Sequence, residues 1–211
     1  MSPEIFYFHH GLRFADKKIL DYIKNKDFMD CGAFIGDSVL VLKNHSPKMI
    51  YSYEFSKRNV NCFEKMMRAN NINSGYRIIR AVLGDKVGEV KVDEAGYISP
   101  AQQVSVSENG ELIGVTTIDA DSKKYELNVG FIKVDVEGAG LKVVKGAINT
   151  IKKCRPVLSL AVYHNSEELF EIKPFLEQHL KDYVFEFKLQ HFWLGDFNEM
   201  ILFAYPKEIV E

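Results

Sequence analysis

The sequence predicts an α/β fold built on a parallel sheet, and three observations predict it. Four apolar runs each end in a single ionisable residue: 28–30 in Asp30, 49–54 in Glu54, 131–135 in Asp135 and 157–164 in His164. Runs that are apolar throughout, instead of alternating, mark strands buried on both faces. Apolar residues at helical spacing lie between the runs, giving a β-α-β-α-β order. The first run also feeds a glycine turn, Asp30-Cys31-Gly32-Ala33-Phe34-Ile35-Gly36-Asp37-Ser38, that opens a helix. In open α/β sheets ligands sit beyond the carboxyl ends of the strands, where the strand order reverses. Asp30, Glu54, Asp135 and His164 are therefore expected to line one rim.

The elements follow in order. Ile19, Leu20 and Ile23 predict a short helix within 16–25, ahead of the first strand. After the glycine turn a helix carries the apolar residues 39–42 and must end by Pro47; residues 48–54 form the second strand. Ser56 caps the next helix, whose Val60, Phe63 and Met67 make an apolar stripe, and 76–83 form the third strand. Residues 84–114 break the pattern. Within them 87–92 reads as a short strand, and the Gly/Ser/Asn-rich stretch after it is too long for an ordinary connection, so it is a lid or an excursion at the binding rim. The fourth strand precedes one helix over 141–151, with Leu141, Val144 and Ile148 on one face. The fifth precedes a helix capped by Ser166 and broken at Pro174. Residues 183–189 and 199–205 alternate as a closing antiparallel pair. With no linker or repeat, 1–211 reads as a single domain, 1–27 as a lead-in and 28–206 as the core fold.

Composition excludes several classes. A chain of 211 residues, 46% hydrophobic, buries roughly 70% of its unfolded surface without help from disulfides or a structural metal. The formal net charge is −2 and the basic pairs are scattered, so nucleic acid is not an expected partner. Cys31, Cys62 and Cys154 are odd in number and form no C-x-x-C, which reads as buried thiols in a reducing compartment. No leader pattern and no run near the ~18 apolar residues of a spanning helix occurs. A soluble, cytoplasmic protein with no membrane partner is expected.

The glycine turn narrows the ligand. The second and third positions of the dinucleotide fingerprint fall on Phe34 and Asp37. A side chain at the second keeps the backbone away from a pyrophosphate, and a carboxylate at the third repels it. No Gly-Lys-Ser/Thr phosphate loop occurs either. Peptide N–H groups around Asp37 and Ser38 can accept a small carboxylate, while Asp30 can pair with an ammonium. Glu54 ends the second strand, where an acid commonly binds ribose hydroxyls. An amino-acid head joined to a nucleoside describes S-adenosylmethionine. Ala81-Val82-Leu83-Gly84-Asp85, at the end of the third strand, is the candidate for stacking on the adenine, with Asp85 reaching its amino group, although Gly84-Asp85 also reads as a plain turn.

These residues resemble the FkbM family of S-adenosylmethionine-dependent methyltransferases. The likeness runs from about residue 28 to 206. It includes the glycine turn, Glu54, Thr117-Ile118-Asp119, the segment Ile132-Lys133-Val134-Asp135-Val136-Glu137-Gly138-Ala139, Lys145-Gly146-Ala147, the run from Pro156 to His164, and Tyr183. Lys-x-Asp-x-Glu-Gly followed by Lys-Gly-Ala is its most specific element. The resemblance implies a Rossmann-like class I fold, a mostly parallel seven-stranded sheet with a reversed last strand and helices on both faces. It also implies S-adenosylmethionine as donor and methyl transfer to oxygen on sugars or natural products. Carried over, Asp30, Gly32 and Ser38 fall on the methionine end of the cofactor site and Glu54 on the ribose; Ala33, Phe34, Gly36, Asp37 and Asp135 are further candidates for cofactor contact. Three departures stand out: Phe55 where the family often has proline, Gly140 where it usually has a further acid, and Gln190 where it often has arginine.

Methyl transfer from a sulfonium is an in-line displacement, so the protein must align acceptor oxygen and methyl carbon and remove one proton. His164, with an ordinary pKa of about 6.5, is the candidate general base; the bland alternative is a histidine that ties the strand end to a loop. Asp135 and Glu137 leave the strand on one side if Val136 points into the core. There they orient acceptor hydroxyls, bind Mg²⁺ or pair with Lys133. Only two carboxylates are available and Gly140 withholds a third, so no metal site is expected and turnover should not need Mg²⁺. His191 reaches the rim only if the final hairpin leans over it. His9 and His10 precede the fold and receive no role, and Phe192, Trp193 and Phe197 read as hairpin-loop packing in preference to a sugar platform. Competing readings are a nicotinamide oxidoreductase, opposed by Phe34 and Asp37, and a non-catalytic S-adenosylmethionine-binding module. The expected partner is a small-molecule or glycan acceptor.

Overall fold

The computed structural model describes residues 3–92, 110–190 and 199–211. Two helices, α1 (Pro3–Phe8) and α2 (Lys17–Ile23), lead into β1 (Asp27–Cys31), α3 (Asp37–Leu42), β2 (Met49–Tyr53), α4 (Lys57–Ala69) and β3 (Tyr76–Ile79). Then come β4 (Val82–Leu83), β5 (Gly88–Val92), β6 (Glu111–Thr116), α5 (Ile118–Lys124) and β7 (Val129–Val134). The chain closes with α6 (Gly140–Lys145), α7 (Ile148–Cys154), β8 (Val157–Ala161), α8 (Ser166–His179), β9 (Tyr183–Leu189) and β10 (Met200–Pro206).

Seven strands form one sheet in the order β3-β2-β1-β7-β8-β10-β9. Its pairings are parallel except those of β10, which runs antiparallel to both β8 and β9. This is the seven-stranded sheet with a reversed last strand. Every residue of β1, β7 and β8 is buried, which is why these runs are apolar without alternation. Phe28, Phe131, Val157 and Phe203 pack on one face with residues of α2, α3 and α4. Met29, Cys31, Ile132 and Leu158 pack on the other with α5, α6, α7 and α8. Order reverses between β1 and β7, and their carboxyl ends open the crevice where a ligand belongs.

Several sequence expectations change. The predicted strand 76–83 is two strands. β3 stays in the main sheet, while β4 joins a separate three-stranded sheet, parallel to β6, which pairs antiparallel with β5. Residues 93–109, and with them most of the expected lid, lie outside the described residues. The helix expected over 141–151 is α6 and α7, separated at Gly146. A Cβ there would lie 2.1 Å from the Gly84 carbonyl oxygen, so the close approach of two backbones breaks the helix. Asn165, not Ser166, caps α8, its side chain accepting from Glu168 N at 2.8 Å. Pro174 lies inside α8 without ending it. It sits on the exposed face, as does Phe170, whose carbonyl loses its helical donor where solvent can replace it. Of the three cysteines only Cys31 is fully buried; all are free.

Candidate functional site

The middle of the sheet carries a polar row. Ser52, Asp30, Lys133 and Ser159 are register partners on four adjacent strands, so their side chains share one face. All four are buried. Lys133 Nζ lies 3.2 Å from Asp30 Oδ1 and donates to the Gly32 carbonyl at 2.7 Å, while Ser52 Oγ donates to Asp30 Oδ2 at 3.2 Å. Burial alone would depress the Lys133 pKa, but the charges of Asp30 and Asp135 push it above the ordinary lysine range. The ammonium expected beside Asp30 is therefore the protein's own. Two opposite charges in adjacent apolar runs were the signal: buried charges must pair.

The glycine turn is held by its own bonds. The Gly32 and Ala33 amides donate to Tyr53 O at 3.1 and 2.9 Å, and Gly32, at φ +83°, has no room for a Cβ, which would lie 1.8 Å from Asp135 O. Gly36, at φ +88°, lies against the Phe63 ring. Ala33, Asp37 and Ser38 are buried; Ser38 N approaches Asp37 Oδ1 at 3.1 Å, and Ser38 Oγ is engaged by His10 Nε2 at 2.9 Å. Burial and Lys133 lower the His10 pKa to about 3, so the ring is neutral. The lead-in segment thus clamps the turn, and the start of α3 is not the open anion seat expected from sequence.

A cleft of about 580 Å³, solvent at its mouth included, lies over the carboxyl ends of β1, β2 and β7. Gly32, Phe34, Glu54, Ala81, Val82 and Asp135 line it as expected. Ala33, Asp30, Gly36, Asp37 and Ser38 are not among its lining residues, and Asp85 is exposed outside it. Leu83, from the segment expected at the adenine, lines it too, and sequence reasoning missed Phe55 and Asn59, which also line it. Asn59 was legible as the first-turn residue that Ser56 caps, since its amide donates to Ser56 Oγ at 3.3 Å. Phe34 adopts φ +47°, a strained conformation for an aromatic residue and of the kind that gathers at ligand sites. Glu54 Oε1 accepts from Ser56 N at 2.8 Å. Burial raises the Glu54 pKa to about 6 against the opposing bonds from Ser56, Asn59 and Phe34. Asn59 Oδ1 is buried without a hydrogen bond.

At the other end of the cleft Asp135, Glu137 and His164 converge. Val136 packs against the core, and Glu137, at φ +53°, turns its carboxylate to the side taken by Asp135. His164 Nε2 lies 3.3 Å from Asp135 Oδ1 and 3.6 Å from Glu137 Oε2. Its Nδ1 meets Glu168 Oε2 at 2.8 Å. Burial works against charge on this ring, but Asp135 and Glu168 outweigh it and raise its pKa to about 10. An ionisation near 6.5, shifted by Asp135 and Glu137, was expected; with both nitrogens facing carboxylates the shift is large and His164 favours its charged form, so it does not stand as an unpaired base. Burial would raise Asp135, yet His164 and Lys133 hold it at about 2; burial, with Asp135 and Glu168 adding to it against His164, lifts Glu137 to about 7. The tally of two ligands for a cation also omitted His164. His191, the other candidate base, lies outside the described residues.

Residues 30–187 match the FkbM methyltransferase domain. The chain belongs to that family. Among solved structures, the FkbM methyltransferase from Methylobacillus flagellatus KT superposes with a TM-score of 0.68 at 21% identity, over 96% of this chain and 47% of that one. The chain therefore spans about half the length of that relative. SMU.1697c from Streptococcus mutans, solved in complex with SAH, aligns over 97% of both chains at 12% identity and a TM-score of 0.56. TrmK of M. capricolum, solved with S-adenosylhomocysteine, aligns over 90% of this chain and 66% of its own at 12% identity and a TM-score of 0.51. No functionally curated protein matches. Within this FkbM domain the motif residues divide by task. Asp135 and Glu137 reach the cleft, Lys133 neutralises Asp30, and Asp119 serves the framework by accepting from Asn149 N and Thr150 N at the start of α7.

Proposed function

We propose that this FkbM domain is an S-adenosylmethionine-dependent methyltransferase acting on a hydroxyl of a sugar, glycan or natural product. The observation that carries this reading is the pairing, in one cleft, of a ribose-type acid and apolar walls with a separate polar cluster. Glu54 and the unpartnered Asn59 Oδ1 suit the donors of a nucleoside. Phe34, Phe55, Val82 and Leu83 offer apolar surface to a purine. Gly32 and Phe34, which line the cleft, are assigned to the amino-acid end in this reading. The bound cofactor supplies an electrophilic methyl group on a sulfonium. The residues of the chain do the rest: they fix the sulfonium end, exclude water, and aim an acceptor oxygen from the Asp135–Glu137–His164 side.

Removal of the acceptor proton is assigned to this cluster as a whole rather than to His164 acting as an unpaired base. The neighbouring structures solved with S-adenosylhomocysteine support the cofactor, and the smooth distribution of basic residues supports a small or glycan acceptor over nucleic acid. The test is incubation with isotopically labelled S-adenosylmethionine and a panel of glycans and hydroxylated metabolites, read by mass spectrometry. Transfer to oxygen is expected, with Glu137→Gln lowering kcat by about 100-fold or more and leaving S-adenosylhomocysteine affinity within a few fold. Transfer only to nitrogen or to RNA would overturn the acceptor class.

A further inference from the structure

We propose that Asp135, Glu137 and His164 form a divalent-cation site at the acceptor end of the cleft, with Glu168 as the residue that positions the His164 ring. The three side chains offer donor atoms that all lie within 4.8 Å of one another. The spacing fits an ion. Ligands about 2.0–2.2 Å from a metal stand roughly 3.0–3.5 Å apart in octahedral or tetrahedral geometry, and Nε2 is 3.3 Å from Asp135 Oδ1 and 3.6 Å from Glu137 Oε2.

A second observation points to a ligand independently of the two acids. The His164 side chain is 6% exposed, and its Nε2 is aimed between the carboxylates yet makes no hydrogen bond of acceptable geometry. The opposite nitrogen is tied: Nδ1 meets Glu168 Oε2 at 2.8 Å. Glu168 is itself held, because its Oε1 accepts from Gly140 N at 2.8 Å. A carboxylate on Nδ1–H holds the ring so that a metal displacing the Nε2 proton meets the Nε2 lone pair. Gly140 acquires a reason here. A Cβ at this position would lie 2.7 Å from Glu168 Oε1, so the residue that withholds a third acid is the seat of the carboxylate behind the histidine.

Asp135 and Glu137 are 28% and 21% exposed and line the cleft, which leaves coordination positions open toward it for water or an acceptor oxygen. Asp135 also accepts from Tyr163 Oη at 3.4 Å and faces Lys133 at 4.0 Å. Lys133 stands closer to Asp30, and one Asp135 oxygen remains on the histidine side. One imidazole with two carboxylates suits Mn²⁺, Co²⁺ or Zn²⁺ better than Mg²⁺ or Ca²⁺, which prefer all-oxygen shells.

Placement beside the acceptor rests on the methyl-transfer reading; binding of the ion does not. The test is calorimetric titration of the chelator-treated full chain with Mn²⁺ and with Zn²⁺, and separately with S-adenosylhomocysteine. One ion per chain is expected, with affinity falling at least tenfold in Glu137→Gln and about 10- to 100-fold in Glu168→Gln. Co²⁺ should add visible absorption bands to the wild type. If a variant does not fold, nitrogen modulation in the pulsed EPR of Mn²⁺-loaded wild type still reads imidazole ligation. No binding at millimolar metal, equal affinity in folded Glu137→Gln, or a Mn²⁺ spectrum without nitrogen would each overturn the site. Metal binding without S-adenosylhomocysteine binding would overturn the methyltransferase reading and leave the metal site standing.

Discussion

A carboxylate in a cleft wall grips hydroxyl groups best when it is ionised, and Glu54 sets its own threshold for that. Burial raises its pKa to about 6, so below that pH it is protonated and loses charge-assisted acceptance. S-Adenosylhomocysteine affinity is therefore expected to climb between pH 5 and 7 and then level off. Calorimetry across pH 5–8 checks this, with Glu54→Gln as the variant whose profile should be flat. Glu54→Ala removes bonds of about 1.5–3 kcal/mol and should weaken binding roughly 10- to 100-fold. An unchanged affinity in that variant, correctly folded, would take Glu54 out of the site. Glu54 and Asp135 were legible because a charge ending an apolar strand has to emerge at its rim. Glu168 was not. Glu168 reads locally as a helix-dipole acid, and only the packing of α8 against α6 turns it under His164.

At the scale of elements, Asp119 does from a neighbouring helix what an N-cap residue does from its own. Its carboxylate accepts from Asn149 N at 3.1 Å and Thr150 N at 2.6 Å, where the N-cap of α7, Ala147, has no side-chain oxygen to offer. Asp119→Ala is expected to cost about 1–2 kcal/mol, a fall in Tm of roughly 2–8 °C for a chain of this size. S-Adenosylhomocysteine affinity should hold, because Asp119 is not among the residues lining the cleft. Thermal melts with calorimetry separate the two effects, and a loss of affinity without a loss of Tm would contradict a framework role. The split between α6 and α7 that creates this need was invisible in the apolar periodicity, which runs unbroken through Leu141, Val144 and Ile148. Gly146 marked it, and the reason, a backbone crossing at Gly84, is a contact between distant segments.

For the molecule as a whole, ligand choice should appear as stability. A ligand that binds only the folded state at 100 times its Kd adds about 2.7 kcal/mol, or roughly 5–10 °C in Tm here. S-Adenosylmethionine and S-adenosylhomocysteine are expected to produce that shift, and NAD and ATP none, because Phe34 and Asp37 deny the turn to a pyrophosphate. A melt stabilised by NAD alone would reverse the assignment. The burial of the strands on both faces and a ligand crevice at their carboxyl ends followed from the sequence itself, because strand burial acts through local pattern, whereas the seven-stranded sheet with its reversed last strand followed from the family resemblance. Glu54 and Asp135 were likewise legible at the cleft, while Asp30 stays buried within the sheet. What only the tertiary structure decided was which of those charges are free. Asp30 is neutralised by Lys133, Ser38 is clamped by His10, and His164 is caught among three carboxylates. Pairing of buried charges depends on register and helix packing, mostly between residues tens to more than a hundred positions apart, which no local pattern records.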